Sequence, residues 1–442
     1  MLRILIALAV LIMVPGGIRA QTVELREALA EAVRERPFAR AERARSEAAE
    51  AAADAAGGRY LPHLTLQENY QRTSQPGNGL FIALNQEAFS LDPSQNLYTT
   101  RENFMTRLSL RQPLINSAIY FGQRQARQES RAAQAMAAWS EEQAAFAVFR
   151  AYIEVQQARA ARESAQSSHA EASEVLRLAR LSYETGVGLR ADQLRAKVAL
   201  SKAERRLLTV RNDLKLARRG LALALGRSEG EVGIAETLTP DLFAEEVGMI
   251  SIQRGDLEAM SHRSEAMREA QRGAKAAYLP KLNASAAYEM HDPETPFGNE
   301  ADHWTVNVGL SWTVFDGFQR ENQRAMAAAQ LQASRQAHME AARKTQLQVE
   351  EAVLRAAEAE SHLETAQKAV AEADESHRLL QQRYEAGLSD LSDLLAVRAA
   401  LDQARTDAVE AESRLILALG NIRFQKGVFL QTLLGYEEII RE

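Results

Sequence analysis

The chain has 442 residues, 25% of them charged, and a formal net charge of −6. That is length for two or three ordinary domains, with no basic excess to suit a nucleic-acid partner. It contains no Cys, which excludes disulfides, thiolate metal sites and Cys nucleophiles. Beyond the first 20 residues no stretch reaches about 18 consecutive apolar positions, so no membrane-spanning helix is expected in the mature protein.

Residues 1–20 read as a secretory signal, with Arg3 before the apolar run Ile4–Val14, a Pro15-Gly16-Gly17 break and Ala20 at the cut. Loss of the signal's two arginines takes the net charge from −6 to −8. No Cys follows the cut, so a lipid-anchored start is not expected. A helix is expected over Val23–Ala56, stopped by Gly57-Gly58. Pro62 then opens an extended segment in which Leu64, Leu66 and Tyr70 alternate with Thr65, Gln67, Asn69 and Gln71, although Glu68 falls among the apolar positions. A polar, turn-rich loop over Ser74–Asn103 leads to a second strand, where Phe104, Thr106, Leu108 and Leu110 alternate with Met105, Arg107, Ser109 and Arg111.

No Gly occurs from Gln123 to Thr185 and no Pro between Pro113 and Pro240. This run is rich in Ala, Glu, Gln and Arg and predicts one helix roughly 100 Å long. Ala165, His169, Ala172, Leu176, Ala179 and Tyr183 recur by threes and fours, a coiled-coil seam. Gly186 ends the helix and a shorter one returns over roughly Arg190–Leu225. Arg227–Ile250 is an acidic connection.

The same order then recurs. A helix from about Ser251 ends before Tyr278, and Leu282, Ala284, Ala286, Tyr288 and Met290 mark a third strand. After the loop His291–His303 comes the clearest strand, Trp304–Val314. Trp304, Val306, Val308, Leu310, Trp312 and Val314 alternate with small or polar residues, Asn307 among them. Eleven residues suffice to cross a bilayer at a tilt. A second Gly-free run, Phe318–Ala386, predicts another long helix with Leu363, Ala366, Val370, Ala373, His377, Leu380 and Tyr384 on its seam. Gly387 ends it, and a helix returns over Leu388–Leu419. Gln425–Glu442 follows; with Arg227–Ile250 it is expected to form a belt where the hairpins return.

The chain therefore reads as two internal repeats, 21–226 and 251–420, joined by 227–250 and followed by 421–442. Tyr60-Leu61-Pro62-x-Leu64 recurs as Tyr278-Leu279-Pro280-x-Leu282, and Tyr183-Glu184-x-Gly186 as Tyr384-Glu385-x-Gly387. Four strands cannot close a barrel, and open edges cannot face lipid. If the strands span a membrane, several copies must pool them, and three copies give twelve. A half-buried strand in a soluble sandwich is the competing reading of the same alternation. No phosphate loop, nucleophile elbow or His-Glu-x-x-His appears, so no enzyme and no cofactor or metal is expected.

These features together resemble the outer membrane efflux protein (TolC-like) family, over about Thr22–Gly420. Gln112-Pro113-Leu114-Ile115-Asn116 and Trp312-Thr313-Val314-Phe315-Asp316-Gly317 resemble its strand-to-helix transitions. The resemblance implies an α+β membrane protein: a trimeric 12-stranded β-barrel, four strands per chain, continued by a long α-helical coiled-coil barrel. It implies an outer-membrane exit duct of a tripartite efflux or type I secretion system. The implied partners are a homotrimer, outer membrane lipid, a periplasmic adaptor (membrane fusion) protein and an inner-membrane pump of RND, ABC or MFS type. Tyr183, Gly186, Tyr384 and Gly387 would mark the periplasmic tip, and Asp192 and Asp393 the channel entrance; Asp390, an acid new to this chain, is placed with them. Trp304, Val306, Val308, Leu310 and Trp312 would face lipid; Arg107, Arg111 and Asn307 would face the lumen. The chain departs from the family pattern at Ser389 and Ala396, where an arginine and a second acid are expected. Asp192 and Asp393 also sit where a helix dipole favours an acid, and both tyrosines sit where plain seam packing would place them. A periplasmic adaptor, which also carries long hairpins, and a coiled-coil structural protein are the competing readings.

Overall fold

Proline and glycine set the element boundaries, and one of them divides the first expected helix. The computed structural model describes residues 21–92, 100–243, 251–386 and 388–435. The expected signal, residues 1–20, lies outside them, as do Gly387 and parts of both expected belt segments. Strand β1 (Gln21–Val23) precedes α1 (Leu25–Glu35) and α2 (Pro37–Gly58). Pro37 forces the residue before it out of the helical region, and Arg36 accordingly has φ −64° and ψ 125°. The helix expected over Val23–Ala56 is thus two helices preceded by a short strand.

Next come β2 (His63–Thr73), α3 (Pro76–Asn85) and β3 (Arg101–Ile115), followed by the long α4 (Ser117–Glu184) and the returning α5 (Arg190–Ala224). Strand β4 (Val232–Ile234) and a 3-10 turn (Pro240–Phe243) lead to α6 (Gly255–Ala276). Then follow β5 (Lys281–Asp292), β6 (Ala301–Ser311), the long α7 (Gln319–Glu385), α8 (Leu391–Lys426) and α9 (Phe429–Leu434). The two long helices have 68 and 67 residues. Helix α8 runs past the expected stop at Leu419, because Gly420 stays helical and the left-handed cap is Gly427, at φ 76°.

The described residues fall into two units. The first takes those within Met1–Ala41, Ala138–Arg254 and Lys344–Glu442. Its main core is built on the middle of α4, where Phe149, Tyr152 and Ile153 are buried against Leu29, Leu221, Ile234, Ile416 and Phe429. β1 and β4 pair in parallel beside it, Thr22 opposite Gly233. The Tyr152 hydroxyl accepts the Glu236 N–H at 3.3 Å. The Arg423 guanidinium donates to the Phe243 carbonyl at 2.9 Å and lies over that ring. The segments on either side of the hairpin returns, 232–243 and 429–434, therefore gather on the middle of α4.

The seam positions repeat their spacing in burial. Leu363, Ala366, Val370, Ala373, His377, Leu380 and Tyr384 are half-buried while their immediate neighbours on α7 are exposed. On α4, Ala165 and Ala179 are buried and Tyr183 is exposed.

The second unit takes the described residues within Glu42–Ala137 and Gly255–Arg343. It holds an antiparallel sheet in the order β2-β3-β5-β6. Pro113 lies on β3 beyond the end of β2, beside a register shift against β5, where its missing N–H leaves no gap in the ladder to β2. Helix α6 packs on the start of α4 through Ala132, Ala135 and Ala259, and its buried Glu269 pairs with Arg124 at 3.3 Å and Arg272 at 2.6 Å.

Candidate functional site

The register sorts the sheet's side chains into two unlike faces. Cross-strand partners share a face, so Leu66, Leu108, Tyr288 and Trp304 lie together, and Leu64, Leu110, Ala286 and Val306 beside them. Val308 pairs with Ala284 and Leu310 with Leu282 on the same side. The opposite face carries Gln67, Arg107 and Glu289 in one row, and Arg111, Ser285 and Asn307 in another. Arg107 and Glu289 form an ion pair at 2.9 Å.

The apolar face is exposed, unlike that of a sheet packed on a soluble core. On the apolar face Trp304 is 75% exposed, Val308 62% and Leu310 69%. The polar face is covered at its loop end, where Asn103, His291 and Ala301 are buried. That cover is α3, which packs against β3 and β6. Gln86, just beyond it, donates to the Glu102 carbonyl at 2.8 Å and the Asn103 side-chain oxygen at 3.1 Å. Asn103 meets His291 Nδ1 at 3.1 Å, and His303 Nε2 reaches the Asn85 carbonyl at 2.8 Å. Glu68, the one acid among the expected apolar positions of β2, accepts the hydroxyl of its cross-strand partner Thr106.

Trp312 stands one residue past the end of β6 rather than within it, and its indole N–H donates to the Tyr278 carbonyl at 3.0 Å. It remains 63% exposed. Trp304 and Trp312 are about 27 Å apart along an extended chain, the scale of the apolar band between two aromatic girdles. Neither β2 nor β6 pairs on its outer side among the described residues.

The other candidate positions lie in the first unit, around the C-terminal ends of the long helices and the turns that follow them. Gly186 has φ +81°, and Val187 and Gly188 donate to the Ser182 carbonyl at 3.0 and 2.8 Å, closing α4. A Cβ on Gly188 would fall 2.8 Å from that of Ser182, so the turn has no room for a side chain there. The second turn has the matching bond, Leu388 N–H to the Arg383 carbonyl at 2.8 Å. Asp390 occupies the N-cap of α8 with extended backbone, though its side chain makes no capping bond.

Asp192 and Asp393 each fall in the first turn of a returning helix. Asp192 is half-buried, 3.5 Å from Arg195, whereas Asp393 is exposed. Tyr384 packs on a small core of Ala179, Ala196, Leu391 and Leu394. Burial first, and then the Asp192 carboxylate, raise the Tyr384 pKa. The structure thus packs Tyr384 with Ala196 of the other hairpin, within the field of Asp192, and leaves Tyr183 at the surface.

Arg398 carries no signal in the sequence beyond its charge. Its guanidinium lies against Glu171 of α4 and, through Nε, 3.3 Å from Asp402 of its own helix. Burial is the leading effect on it and lowers its pKa. It borders a cavity of about 990 Å³ between α4, α5, α7 and α8. No helix among the described residues is long and apolar enough to cross a membrane.

Comparison with known proteins gives concordant results. The sequence profile described as outer membrane efflux protein matches residues 28–227 and 248–427. A curated relative, Protein CyaE of Bordetella pertussis, is 31% identical over 156 residues, which is 35% of this chain and only a third (33%) of that protein. The outer membrane protein VceC of Vibrio cholerae superposes with a TM-score of 0.76 at 18% identity, covering 93% of this chain and 96% of that one. The open-state MtrE outer membrane channel of Neisseria gonorrhoeae does so with a TM-score of 0.76 at 17% identity, covering 96% and 95%. At these identities the superpositions show a shared fold.

Proposed function

The chain belongs to the outer membrane efflux protein family, and from that premise we propose that it is the exit duct of a tripartite efflux or type I secretion system. The family is one of outer membrane channels, not of enzymes. The observation that carries the proposal is the sheet's exposed apolar face, opposite a polar face covered at its loop end, with both outer edges unpaired among the described residues. Unpaired backbone groups cost several kcal/mol each in hydrocarbon. Three copies joined β6 to β2 give twelve strands and leave no edge. The helices continue the duct into the periplasm, where an adaptor of the membrane fusion type and an inner-membrane pump dock on the turns. Residues 21–226 and 251–420 act as two repeats, a division supported by the matching cap bonds at Val187 and Leu388.

Fractionation tests this directly. The expected result is recovery with the outer membrane and a detergent-extracted particle of three chains. A soluble monomer would reject the duct.

Entry is controlled at the tip in this proposal. Arg398 ties the two hairpins through Glu171, and the cavity beside it leaves room for them to slide. Asp393, exposed at the start of α8, lines the entrance with Asp192 and Asp390. Asp393→Asn is expected to weaken the block of single-channel current by multivalent cations in planar bilayers. Unchanged block would remove Asp393 from the entrance.

A further inference from the structure

We infer that α3 is an outer plug: three copies of it meet inside the assembled barrel and narrow its external mouth to an apolar constriction. This rests on the trimeric duct proposed above. The sequence alone offers a loop over residues 74–103. The structure instead folds a ten-residue helix back onto the polar face of the sheet. That face is the one turned away from lipid, so whatever covers it stands in the lumen. The fastening is specific, through Gln86 to Asn103, Asn103 to His291, and His303 to Asn85.

The helix is apolar on both sides. Gly79, Ile82 and Ala83 are buried towards the sheet. Phe81 and Leu84 point away from it and are 65% and 45% exposed. Helix α3 contains no charged residue. A watery lumen does not call for such a surface, but a second copy of it does. β6, one of the strands under α3, is an edge strand that a neighbouring chain must complete. The exposed face of α3 is therefore continuous with the subunit interface.

Twelve strands about 4.8 Å apart and tilted by about 40° enclose a backbone circle roughly 24 Å across, and inward side chains narrow it further. A helix with side chains is about 10–12 Å wide, so three in contact span roughly 22–26 Å, and the mouth is too narrow for three copies to stand clear of one another. Three copies of α3 at one level leave little open water, and a ring of Phe81 and Leu84 resists ions by dewetting. Cargo pushed from below parts the helices, because each is fastened to its own sheet by a few polar bonds.

Because the chain has no Cys, Phe81→Cys provides a clean test. Purified trimers treated with a short bismaleimide are expected to give a covalent dimer on denaturing gels. Val308→Cys, on the opposite face of the sheet, is expected to give none. In a second readout, Phe81→Ser combined with Leu84→Ser raises single-channel conductance severalfold. Intact Phe81→Cys trimers whose introduced thiol takes a monofunctional maleimide but never cross-links overturn the plug and leave the duct standing. So does a double serine variant that conducts as the parent does. A monomeric particle in the same preparations overturns both.

Discussion

Val308→Arg is expected to remove this protein from the outer membrane. Val308 lies on β6 midway between Trp304 and Trp312, opposite Ala284, on the exposed apolar face. An arginine at the bilayer midplane costs about 2–4 kcal/mol in a barrel wall. A trimer carries three, so the penalty is roughly 6–12 kcal/mol, as large as the folding stability of an ordinary domain. Asn307→Arg, one residue away on the opposite face, avoids lipid altogether. That variant should assemble in normal amounts and alter only ion selectivity. Immunoblots of outer membrane fractions, with sizing of the detergent extract, read both. A soluble protein would give a different pattern: an exposed Val308 would accept Arg with almost no effect. Equal abundance of the two variants would therefore reject lipid contact at this face.

The alternation that makes Val308 a sharp test was legible because it is local. A strand's period of two and a seam's spacing of three and four need only neighbouring residues. The spacing of Leu363 to Tyr384 reappears in their burial for the same reason. What could not be read depends on contacts distant in sequence. The three-residue β1 and β4 are too short to show periodicity, and they are held together by register across 211 positions, Gln21 opposite Val232. Arg398 is one of many arginines until α4 brings Glu171 to it. Two misreadings have local causes. Pro37 was a visible break within a helix-forming run. In α3, the glycines at 77 and 79 mask the apolar run that follows them.

Gly226 and Gly420 show how the same local sequence can end differently. Each follows Leu-Ala-Leu. Gly226 stands at φ +90°, packed against the backbone of Glu35 and Arg36, and α5 stops there. Gly420 remains helical because the Phe149 ring lies over it, and a Cβ would fall 2.5 Å from the ring edge. The second glycine is kept for closeness of approach, not for a turn. This contact seats α8 on the core of the first unit, where the last helix also docks.

That last helix leads to the second large effect, which depends on pH. Glu142 on α4 accepts the Leu430 N–H at 3.2 Å, at the start of α9. Phe429 packs edge-on against Phe146 at 5.4 Å between centroids, so the segment is held by aromatic packing as well. Burial pushes the Glu142 carboxyl up to about 7, against the pull of the Leu430 and Phe429 N–H groups, and neighbouring Glu141 raises it further. An unfolded carboxyl titrates near 4.5. The folded site therefore holds its proton more tightly than the unfolded chain. Its contribution to stability is complete below about pH 4.5 and is lost as pH rises through about 7. A shift of this size corresponds to about 3 kcal/mol at most. Glu142→Gln keeps an acceptor for the Leu430 N–H and removes the charge. At pH 8 the variant should hold α9 more firmly than the parent, and at pH 4.5 the two should match. Hydrogen exchange at the Leu430 and Leu433 amides, followed from pH 4.5 to 8, reads the difference. If the parent's protection does not fall across that range, the carboxyl is not strained by its burial, and α9 is held by Phe429 and Leu433 alone.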